Sequence, residues 1–587
     1  MSLPGATLDP LLRLDPSITL EILYLLPLHD LISCHLVSKS WKTVIESYST
    51  SIYRSLSLSI LDSKRYNRLK AAADAPETTR ISSSDALVRG LKVDWKAAVK
   101  KAVMEEKNWK YGRATTRWLT PGSNAVWRQK IDPEEQVLYT TFSRSGGIQA
   151  HTLAAPQTPL FEYVDNAPFA HLEFTKGYLI FNIQNHYEVH LTPPALARLS
   201  PEKKERIPNV EESATYGNGW SHTKKRSWQS QDGETLRGHL TYYRSISTPT
   251  DCFAFRARTD REDTDKERPV VAFAGPTHAY IYGLANDGYV ESYSFAGDIL
   301  FQDVNYIEFD DDFLFVCGDN DMRTFSRHTH EALWTFPEIT LEQPLHVFYS
   351  LFPNEEKTAL PVRTPSGPGE KPARAELVWL DGWWIGDSES EDNRIQRQAS
   401  LFLTNPMCIA CHYTSRDLFC ATISGILYVL RSYREVLSIP DPAERQVAIT
   451  RHLLLLDVGG DLETGERGGE PMLKQLATCG EKVVFNTNGK VYVLDAASLP
   501  APPYDPPTPS TPSAPCPQIR LLSLLDVHQH GLRHSSSLQM DDTTIYLVYW
   551  AKKRVRNGGE EIDIHEAQFI ASDLGMCVKA WDFGWEE

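Results

Sequence analysis

Residues 14–45 read LDPSITLEILYLLPLHDLISCHLVSKSWKTVI, a pattern that predicts three short helices near the start of the chain. Asp15 can cap the first helix, and Pro16 suits its first turn. Pro27 ends that helix, and Ser38 is placed to cap the third. The segments carry these apolar residues at helical spacing: Ile18, Ile22, Leu25, Leu26, Leu28, Leu31, Ile32, Val37, Trp41, Val44 and Ile45. A helical unit this small buries little surface, so we expect it to pack against a partner or a neighbouring domain.

Several of these positions together resemble the F-box motif. That motif combines a Leu-Pro pair, an Ile, a second Leu-Pro, an Asp-Leu, a Cys, a Val-Ser and a Trp. The matching positions in this sequence are Leu14, Pro16, Ile22, Leu26, Pro27, Asp30, Leu31, Cys34, Val37, Ser38 and Trp41. Two positions depart from the motif, because Asp15 stands where the first Pro is usual and Ser17 replaces the usual Glu.

The resemblance implies that the helices bind the Skp adaptor of a Skp–cullin–F-box ubiquitin ligase and, through it, a cullin. Such contacts are helix packing at an interface, where a few buried anchors supply most of the binding energy. The residues expected to contact Skp are Leu14, Pro16, Ile18, Ile22, Leu26, Pro27, Leu31, Val37 and Trp41. The alternative is a helical cap that packs only on the chain's own second domain.

Residues 53–113 are expected to form a helical linker, with a solvated amphipathic helix over residues 86–109. This segment ends Asn108-Trp109-Lys110-Tyr111-Gly112-Arg113. An Asn-Trp followed by Gly-Arg is similar to the junction between F-box and propeller in F-box proteins with WD repeats. Independently of that resemblance, Gly112 predicts the end of a helix.

Beyond the linker, short apolar or alternating runs are separated by turn residues, which is typical of an all-β domain. Pairs of strands are expected at 137–153, 171–183, 278–295, 313–326, 418–433 and 483–494, and single strands at 545–550 and 566–571. Repeated short pairs predict a β-propeller of about seven degenerate blades, a ring that protects sheet edges. We expect the aromatic residues to fill the space between its sheets. Gly238-His239 and Trp581-Asp582 occur at no regular spacing, so a standard WD-repeat array is not established.

The predicted fold class is therefore multidomain α plus all-β, with an F-box at 8–52, a helical linker at 53–113 and the propeller at 114–587. Charged or Pro/Gly-rich stretches near 198–236, 353–399 and 498–518 predict insertions without fixed structure, as do 257–269 and 457–471. The proline-rich residues 500–517 favour a stiff linker, with a ligand for SH3 or WW domains as the alternative.

Composition and hydropathy argue against nucleic-acid binding, membrane insertion and secretion. The net charge of −16 disfavours nucleic acid, which is bound through Lys and Arg. No run of about 18 apolar residues occurs, so no membrane span is expected, and no signal peptide is visible. The nine cysteines are odd in number and scattered, which favours reduced thiols in the cytoplasm or nucleus.

Three clusters suggest chemistry, and a plainer explanation is favoured for each. Cys408-Ile-Ala-Cys411-His412 matches the haem-attachment pattern, but buried strand cysteines are the simpler interpretation. A histidine cluster suits a metal, although a loop without metal is favoured: His528, His530 and His534. Residues 552–556 are basic, either as a nuclear address or, more simply, as a solvated hairpin tip.

No nucleophile elbow, phosphate-binding loop or zinc-protease motif occurs, so neither a cofactor nor a catalytic residue is predicted. The chain is expected to be a non-catalytic subunit whose propeller holds an unknown protein substrate, through residues that the sequence does not identify. Tethering would raise the effective concentration of substrate lysines near a recruited ubiquitin-conjugating enzyme. Two alternatives remain: a scaffold independent of ubiquitylation and, less favoured, a propeller enzyme resembling quinoproteins.

Overall fold

The computed structural model describes these residues: 13–61, 63–74, 88–89, 92–119, 126–143, 146–156, 158–163, 168–183, 186–207, 225–227, 237–261, 267–284, 289–295, 304–319, 321–336, 347–351, 358–359, 370–384, 408–423, 425–458, 473–487, 490–504, 518–524, 535–550, 555–557, 560–562 and 576–584. The chain divides into two units, one of Met1–Arg113 with Phe583–Glu587 and one of Ala114–Asp582. The first is helical and the second is built of β-sheets. Phe583 and Gly584 thus belong to the helical unit, whereas the sequence assigned them to the propeller.

The described part of the helical unit contains six helices and one pair of short strands. The helices are α1 Pro16–Leu25, α2 Leu28–Val37, α3 Lys39–Ser47, α4 Ser49–Ile60, α5 Ser63–Asp74 and α6 Trp95–Lys110, and the strands are β1 Val88–Arg89 and β2 Lys92–Val93. The carboxylate of Asp15 accepts a hydrogen bond from the backbone N–H of Ser17, and the hydroxyl of Ser38 accepts one from that of Trp41. Both predicted caps are therefore confirmed.

The long linker helix is shorter than predicted. The expected helix over 86–109 begins only at Trp95, after β1 and β2, because the Asp94 side chain caps it by accepting from the backbone N–H of Ala97. At the other end Gly112 adopts a φ of +61°. The N–H groups of Gly112 and Arg113 then reach the carbonyls of the last turn. This left-handed cap ends the helix at the glycine that predicted its end.

One apolar core holds the helical unit together. It consists of Leu23, Leu31, Ile45, Ile52, Tyr53, Leu56, Leu61, Leu69, Ala72, Val93, Trp95, Ala98 and Val99. Near the end of α6, Phe583 stacks on Trp109 with ring centroids 3.9 Å apart. The side-chain amide of Asn108 donates to the Phe583 carbonyl at 2.9 Å. The segment after the last strand of the chain is therefore part of this unit.

The second unit is made of short strands. In chain order they are β3 Thr115–Trp118, β4 Val126–Asp132, β5 Val137–Phe142, β6 Ile148–Thr152, β7 Pro159–Tyr163, β8 Leu172–Thr175, β9 Tyr178–Ile183, β10 His186–Leu191, β11 Lys225–Ser227, β12 Thr241–Ile246, β13 Ala254–Arg261, β14 Glu267–Ala274, β15 His278–Gly283, β16 Tyr289–Ser294, β17 Val304–Phe309, β18 Phe313–Gly318, β19 Met322–Ser326, β20 Ala332–Phe336, β21 Val347–Leu351, β22 Thr358–Ala359, β23 Lys371–Pro372, β24 Ala375–Trp384, β25 Cys408–Tyr413, β26 Leu418–Thr422, β27 Ile426–Leu430, β28 Leu453–Asp457, β29 Gln475–Cys479, β30 Lys482–Asn486, β31 Val491–Asp495, β32 Ile519–Leu524, β33 Ser537–Met540, β34 Thr544–Trp550, β35 Val555–Asn557, β36 Glu560–Ile562 and β37 Met576–Asp582.

Helices interrupt the strands at a few points of the described chain. They are α7 Pro193–Arg198, α8 Pro201–Glu205, α9 Tyr433–Leu437, α10 Pro442–His452 and the 3-10 helix Ala496–Ser498. Among the helices that the structure describes, none combines the length and hydrophobicity that crossing a membrane requires.

The strands form a β-propeller with seven blades in its described residues. The blades are β4–β7, β8–β10 with β12, β13–β16, β17–β20, β25–β28, β29–β32, and β33, β34 and β37 with β3. The first strands of the blades pack on one another in turn, from β4 round to β33 and back to β4, and so form the innermost ring. In the seventh blade β3 pairs with β37, which closes the ring with the first and last strands of the unit. The predicted fold class is confirmed.

Six predicted strand pairs are present as antiparallel hairpins. They are β5–β6, β8–β9, β15–β16, β18–β19, β26–β27 and β30–β31. Aromatic side chains fill the space between sheets, as predicted: Tyr187 and Phe273 are 4.2 Å apart between the second and third blades. Phe336 and Tyr428 are 4.4 Å apart between the fourth and fifth.

A polar turn recurs where the first strand of a blade meets the second. The carboxylates of Asp132, Asp310 and Asp541 each accept backbone N–H bonds from residues two and three positions later. In the fifth blade the hydroxyl of Thr414 does the same. These turns set the register of the hairpins without a shared sequence motif.

Parts of the predicted insertions are strands. Within 353–399, β24 pairs with both β32 and β21, and so joins two blades into one sheet. Within 198–236, β11 pairs with β7, and within 257–269 most residues belong to β13 and β14. These segments are strands because they pair with the edges of other strands, and such pairing leaves no local pattern in the sequence. The structure also describes α8 within 198–236 and β22 and β23 within 353–399. These ranges lie outside the described residues: 208–224, 228–236, 262–266, 353–357, 360–369, 385–399, 459–471, 505–517, 552–554 and 566–571.

Candidate functional site

An apolar surface lies on the first two helices of the helical unit and on Leu14 just before them. Its members are Leu14, Ile18, Ile22, Leu25, Ile32, Leu36 and Val37, here called the apolar helix face. On α1, Leu23 points into the core while Ile18, Ile22 and Leu25 point outward at helical spacing. Leu25 and Leu36 are the most exposed, at 83% and 82%. Large apolar side chains grouped on consecutive helices indicate a protein interface.

The structure places the residues predicted to contact Skp in three environments. Leu14, Pro16, Ile18, Ile22, Pro27 and Val37 are exposed, and Leu26 and Trp41 are half-buried. Leu31 is fully buried in the core, so it cannot contact a partner directly and instead holds α2 in place. Three exposed residues were missed: Leu25, Ile32 and Leu36. The i, i+4 spacing of Ile32 and Leu36 is the signal that could have found them.

A second candidate site lies on the innermost strands of the propeller. Six charged side chains converge there from four strands and are here called the channel cluster: Arg128, Lys130, Glu173, Arg256, Arg258 and Glu308. They come from β4, β8, β13 and β17. Sequence reasoning missed them, because one or two charged residues on a strand have no signature until the ring brings the strands together.

Two carboxylates organise this cluster. Glu173 lies 2.9 Å from the Lys130 ammonium and 3.4 Å from the Arg256 guanidinium. Glu308 is 3.2 Å from Arg256 and also pairs with Arg258. Three of the four basic side chains thus have a carboxylate partner on a neighbouring inner strand.

His412 completes the arrangement from the fifth blade. Its Nδ1 lies 3.3 Å from the Glu308 carboxylate and its Nε2 lies 2.9 Å from the Tyr306 hydroxyl. Burial lowers the pKa of His412 well below its ordinary value, and the opposing effect of Glu308 is smaller. The imidazole is therefore neutral near pH 7 and adds no charge to the cluster.

Burial and charge perturb the remaining groups. Burial lowers the pKa of Lys130 to about 8 and that of Arg128 to about 10, against the attraction of Glu173. Burial raises the pKa of Glu308, but Arg258 and Arg256 outweigh it and bring the value to about 2. With four basic and two acidic side chains, the channel cluster carries excess positive charge within an acidic chain.

Arg128 differs from the other three basic residues. Within the part of the chain that the structure describes, no carboxylate lies within ion-pair distance of its guanidinium. The guanidinium carbon instead lies 4.8 Å from the centroid of the Trp127 ring, which is a cation–π arrangement. Its two-pronged donor set therefore has no anionic partner.

Aromatic side chains lie where three neighbouring inner strands begin. Trp127 is the second residue of β4, and Phe169 and Phe253 precede β8 and β13. Phe169 is 54% exposed and Phe253 is 61% exposed. Loops that enter the first strand of each blade lie on one face of a propeller, so topology places these residues together. We call Trp127, Phe169 and Phe253 the aromatic rim.

The backbone at this rim is unusual. Trp127 is the extra residue of a β-bulge between Val126 and Arg128, a device that redirects a side chain. Phe169 has a φ of +61°, a left-handed conformation that a bulky residue rarely adopts. Its N–H donates to the Phe142 carbonyl at 3.1 Å, and its ring lies 5.1 Å from that of Trp127 in an edge-on arrangement. Local contacts therefore hold an unfavourable backbone so that the ring faces solvent.

The remaining predicted clusters do not form a site in the described residues. Cys408 and Cys411 are buried in β25, as the simpler interpretation predicted, and the Cys408 sulfur lies 3.4 Å from that of Cys317. Across the described ranges, no group of three or more His, Cys, Asp or Glu side chains is placed to hold a metal ion. The predicted histidine cluster lies outside them: His528, His530 and His534.

Comparison with known proteins gives one family match and a set of structural likenesses. The model of the F-box domain matches residues 11–51. Solved structures similar to this chain include U3-55K, at 8% identity and a TM-score of 0.40 over 80% of this chain and 98% of that one. The RRP9 WD40 repeats are similar at 9% identity and a TM-score of 0.40, covering 80% and 97%. BamB from Moraxella catarrhalis is similar at 8% identity and a TM-score of 0.34, covering 78% and 86%. No curated protein matches the sequence.

Proposed function

We propose that this chain, an F-box domain followed by a seven-bladed β-propeller, is the substrate-recognition subunit of a Skp–cullin–F-box ubiquitin ligase. The F-box match at residues 11–51 carries the proposal. F-box domains in general bind a Skp adaptor and through it a cullin, and an F-box joined to a propeller fits such a subunit. The substrate is a protein held by the propeller.

The apolar helix face is the surface proposed to bind Skp. Burying a Leu side chain completely contributes roughly 1.5–3 kcal/mol, so Leu25 and Leu36 have the most to gain from a partner. Around them we retain the predicted contacts that are exposed or half-buried: Leu14, Pro16, Ile18, Ile22, Leu26, Pro27, Val37 and Trp41. Ile32 is added because it lies on α2 one turn before Leu36.

In this proposal the chain performs no catalytic step. It holds a substrate so that substrate lysines meet the recruited conjugating enzyme at high effective concentration. The proposed location is the cytoplasm, the nucleus or both, which is consistent with the free thiols of the described cysteines.

Co-purification tests the Skp contact. We expect the double variant Leu25→Asp, Leu36→Asp to lower Skp recovery by at least about tenfold, because two charges would be buried at the interface. Leu58→Asp is the matched control, since Leu58 is 62% exposed on α4 outside the apolar helix face. Circular dichroism melting checks that all variants are folded.

Two results would count against the proposal. Equal Skp recovery by the double variant and by Leu58→Asp would show that the apolar helix face does not bind Skp. Absence of both Skp and cullin from an affinity purification of the unchanged chain would instead favour a scaffold independent of ubiquitylation.

A further inference from the structure

We infer that the propeller binds acidic segments of its substrates at the aromatic rim, with a substrate carboxylate on Arg128. The inference rests on the proposed function, because it names the class of protein that the ligase would recognise. It assigns a site to a chain whose sequence identified no substrate-binding residue.

Charge is the first argument. The chain carries a net charge of −16 and would repel an acidic partner over most of its surface. The channel cluster reverses that sign locally, since the acidic members that it sets against Arg128, Lys130, Arg256 and Arg258 are, among the described residues, Glu173 and Glu308. Uncompensated positive charge among buried groups is unfavourable, and a bound anion would offset it.

The free donors of the cluster indicate which anion fits. Lys130, Arg256 and Arg258 are engaged by Glu173 and Glu308. Arg128 has no carboxylate within ion-pair distance among the described residues, so its planar pair of N–H donors can match one carboxylate in a bidentate contact. The carboxylate of an Asp or Glu side chain presents two oxygens in one plane, which is the acceptor geometry that this pair of donors fits.

The aromatic rim supplies the apolar half of the site. Trp127 contacts both the Arg128 guanidinium and the Phe169 ring. An acidic side chain on Arg128 therefore brings the next residue of an extended peptide beside Phe169. Aromatic anchors next to a desolvated Arg are typical of binding hot spots.

The strained backbone argues that the exposed ring is not incidental. An exposed Phe169 at positive φ costs conformational energy and gains little from burial, whereas glycine at the same position would be free of that strain. The bulge at Trp127 and the left-handed Phe169 turn two neighbouring rings toward the same point. A binding role for these rings accounts for both features.

The test uses the full-length chain and an array of degenerate octapeptides, unphosphorylated and phosphorylated on Ser or Thr. We expect the bound peptides to be enriched in Asp or Glu next to an apolar residue. A fluorescein-labelled copy of the best peptide then gives dissociation constants by anisotropy. Its affinity should fall as salt rises from about 0.05 M to about 0.5 M, because screening weakens partly exposed ion pairs.

Three variants locate the site. Arg128→Gln removes the carboxylate contact and Phe169→Gly removes the aromatic one, and each should weaken peptide binding by about tenfold or more. Arg128→Lys keeps the charge without the paired donors and should give an intermediate loss. Phe169→Gly relieves a positive φ, so it should fold at least as well as the unchanged chain.

Gln136→Gly is the matched control. Gln136 also has a positive φ, at +54°, but it lies in the turn between β4 and β5, on the opposite face of the ring from the aromatic rim. It should gain stability in the same way as Phe169→Gly and leave peptide binding unchanged.

Each other outcome overturns the inference. No bound peptide, or bound peptides without acidic enrichment, would exclude an acidic segment. Unchanged peptide affinity in Arg128→Gln would exclude this site. If phosphorylated peptides bound about tenfold more tightly than Asp or Glu peptides, the ligand of the site would be a phosphate and not a carboxylate. Skp retained with no peptide bound refutes this inference alone, whereas peptide bound without Skp refutes the ligase proposal.

Discussion

At the scale of single residues, the perturbed carboxyl groups of the first blade are the most informative. Burial raises the pKa of Glu135 to about 7, with nearby Asp132 adding to the effect. The Glu135 Oε2 atom is buried without a hydrogen-bond partner among the described residues. Because the pKa is higher in the folded than in the unfolded chain, folding takes up a proton at intermediate pH and stability falls as pH rises from about 4.5 to about 7.

We therefore predict that Glu135→Gln raises the melting temperature at pH 8 and changes it little at pH 4.5. The amide removes the charge that the folded state has to bury at high pH, and it resembles the protonated acid present at low pH. Thermal melts across this pH range check the prediction. Glu331→Gln, at an exposed position, should leave the difference between the two pH values unchanged, and equal shifts in both variants would contradict the assignment.

The same scale shows what a sequence can reveal about a site. Leu25 and Leu36 could be found from helical spacing, because outward and inward faces of a helix alternate with a fixed period. The buried position of Leu31 could not be predicted, since Leu31 and its neighbour Ile32 are both apolar. The structure shows that Leu31 points into the core and Ile32 points outward. Arg128 and Glu173 could not be paired at all, because their contact depends on the closure of a ring.

At the scale of elements, helix ends are fixed by single side chains. Asp94 alone determines that α6 starts at Trp95, since its carboxylate accepts from the Ala97 N–H at 3.0 Å. We predict that Asp94→Ala destabilises the helical unit by about 1 kcal/mol and that Asp94→Asn, which can still cap, costs only a few tenths. Hydrogen exchange of the first-turn amides of α6 measures this, and equal protection in the two variants would exclude the cap.

Elements also mark the limit of prediction from sequence. The hairpin of β8 and β9 was predictable because Lys176 and Gly177, both at positive φ, form a turn of recognisable composition. Strand β24 was not, because its stability comes from pairing with β32, more than one hundred residues further along the chain. Local patterns report turns and caps, whereas long-range pairing overrides them.

At the scale of the whole molecule, buried ion pairs tie blades to one another. The guanidinium of Arg327, which follows β19, lies 2.8 Å from the Asp260 carboxylate of β13. Its Nε also donates a hydrogen bond of 3.0 Å to the Glu291 carboxylate of β16. The contact therefore joins the third and fourth blades. The guanidinium of Arg327 is nearly inaccessible, so removing it takes the nearest cation from both carboxylates and leaves Asp260 with the more distant Arg268 guanidinium, at 3.8 Å.

We predict that Arg327→Met destabilises the propeller by about 3–5 kcal/mol, the usual effect of removing one partner of a buried pair. Arg198→Met is the comparison, because its ion pair with Glu134 is exposed and contributes about 0–1 kcal/mol. Chemical denaturation measures both. A loss of similar size in the two variants would mean that burial does not decide the strength of these pairs.

The packing of Phe583 on Trp109 has a consequence for synthesis on the ribosome. Residues up to 113 emerge first, yet the helical unit they form lacks an aromatic contact and a backbone acceptor for Asn108 until residue 584 has left the exit tunnel. A nascent chain, or a product of premature termination, thus carries every helix of the F-box and still an unfinished fold. Complete and incomplete chains would therefore differ in the stability of the helical unit, which contains the F-box proposed to recruit the ligase.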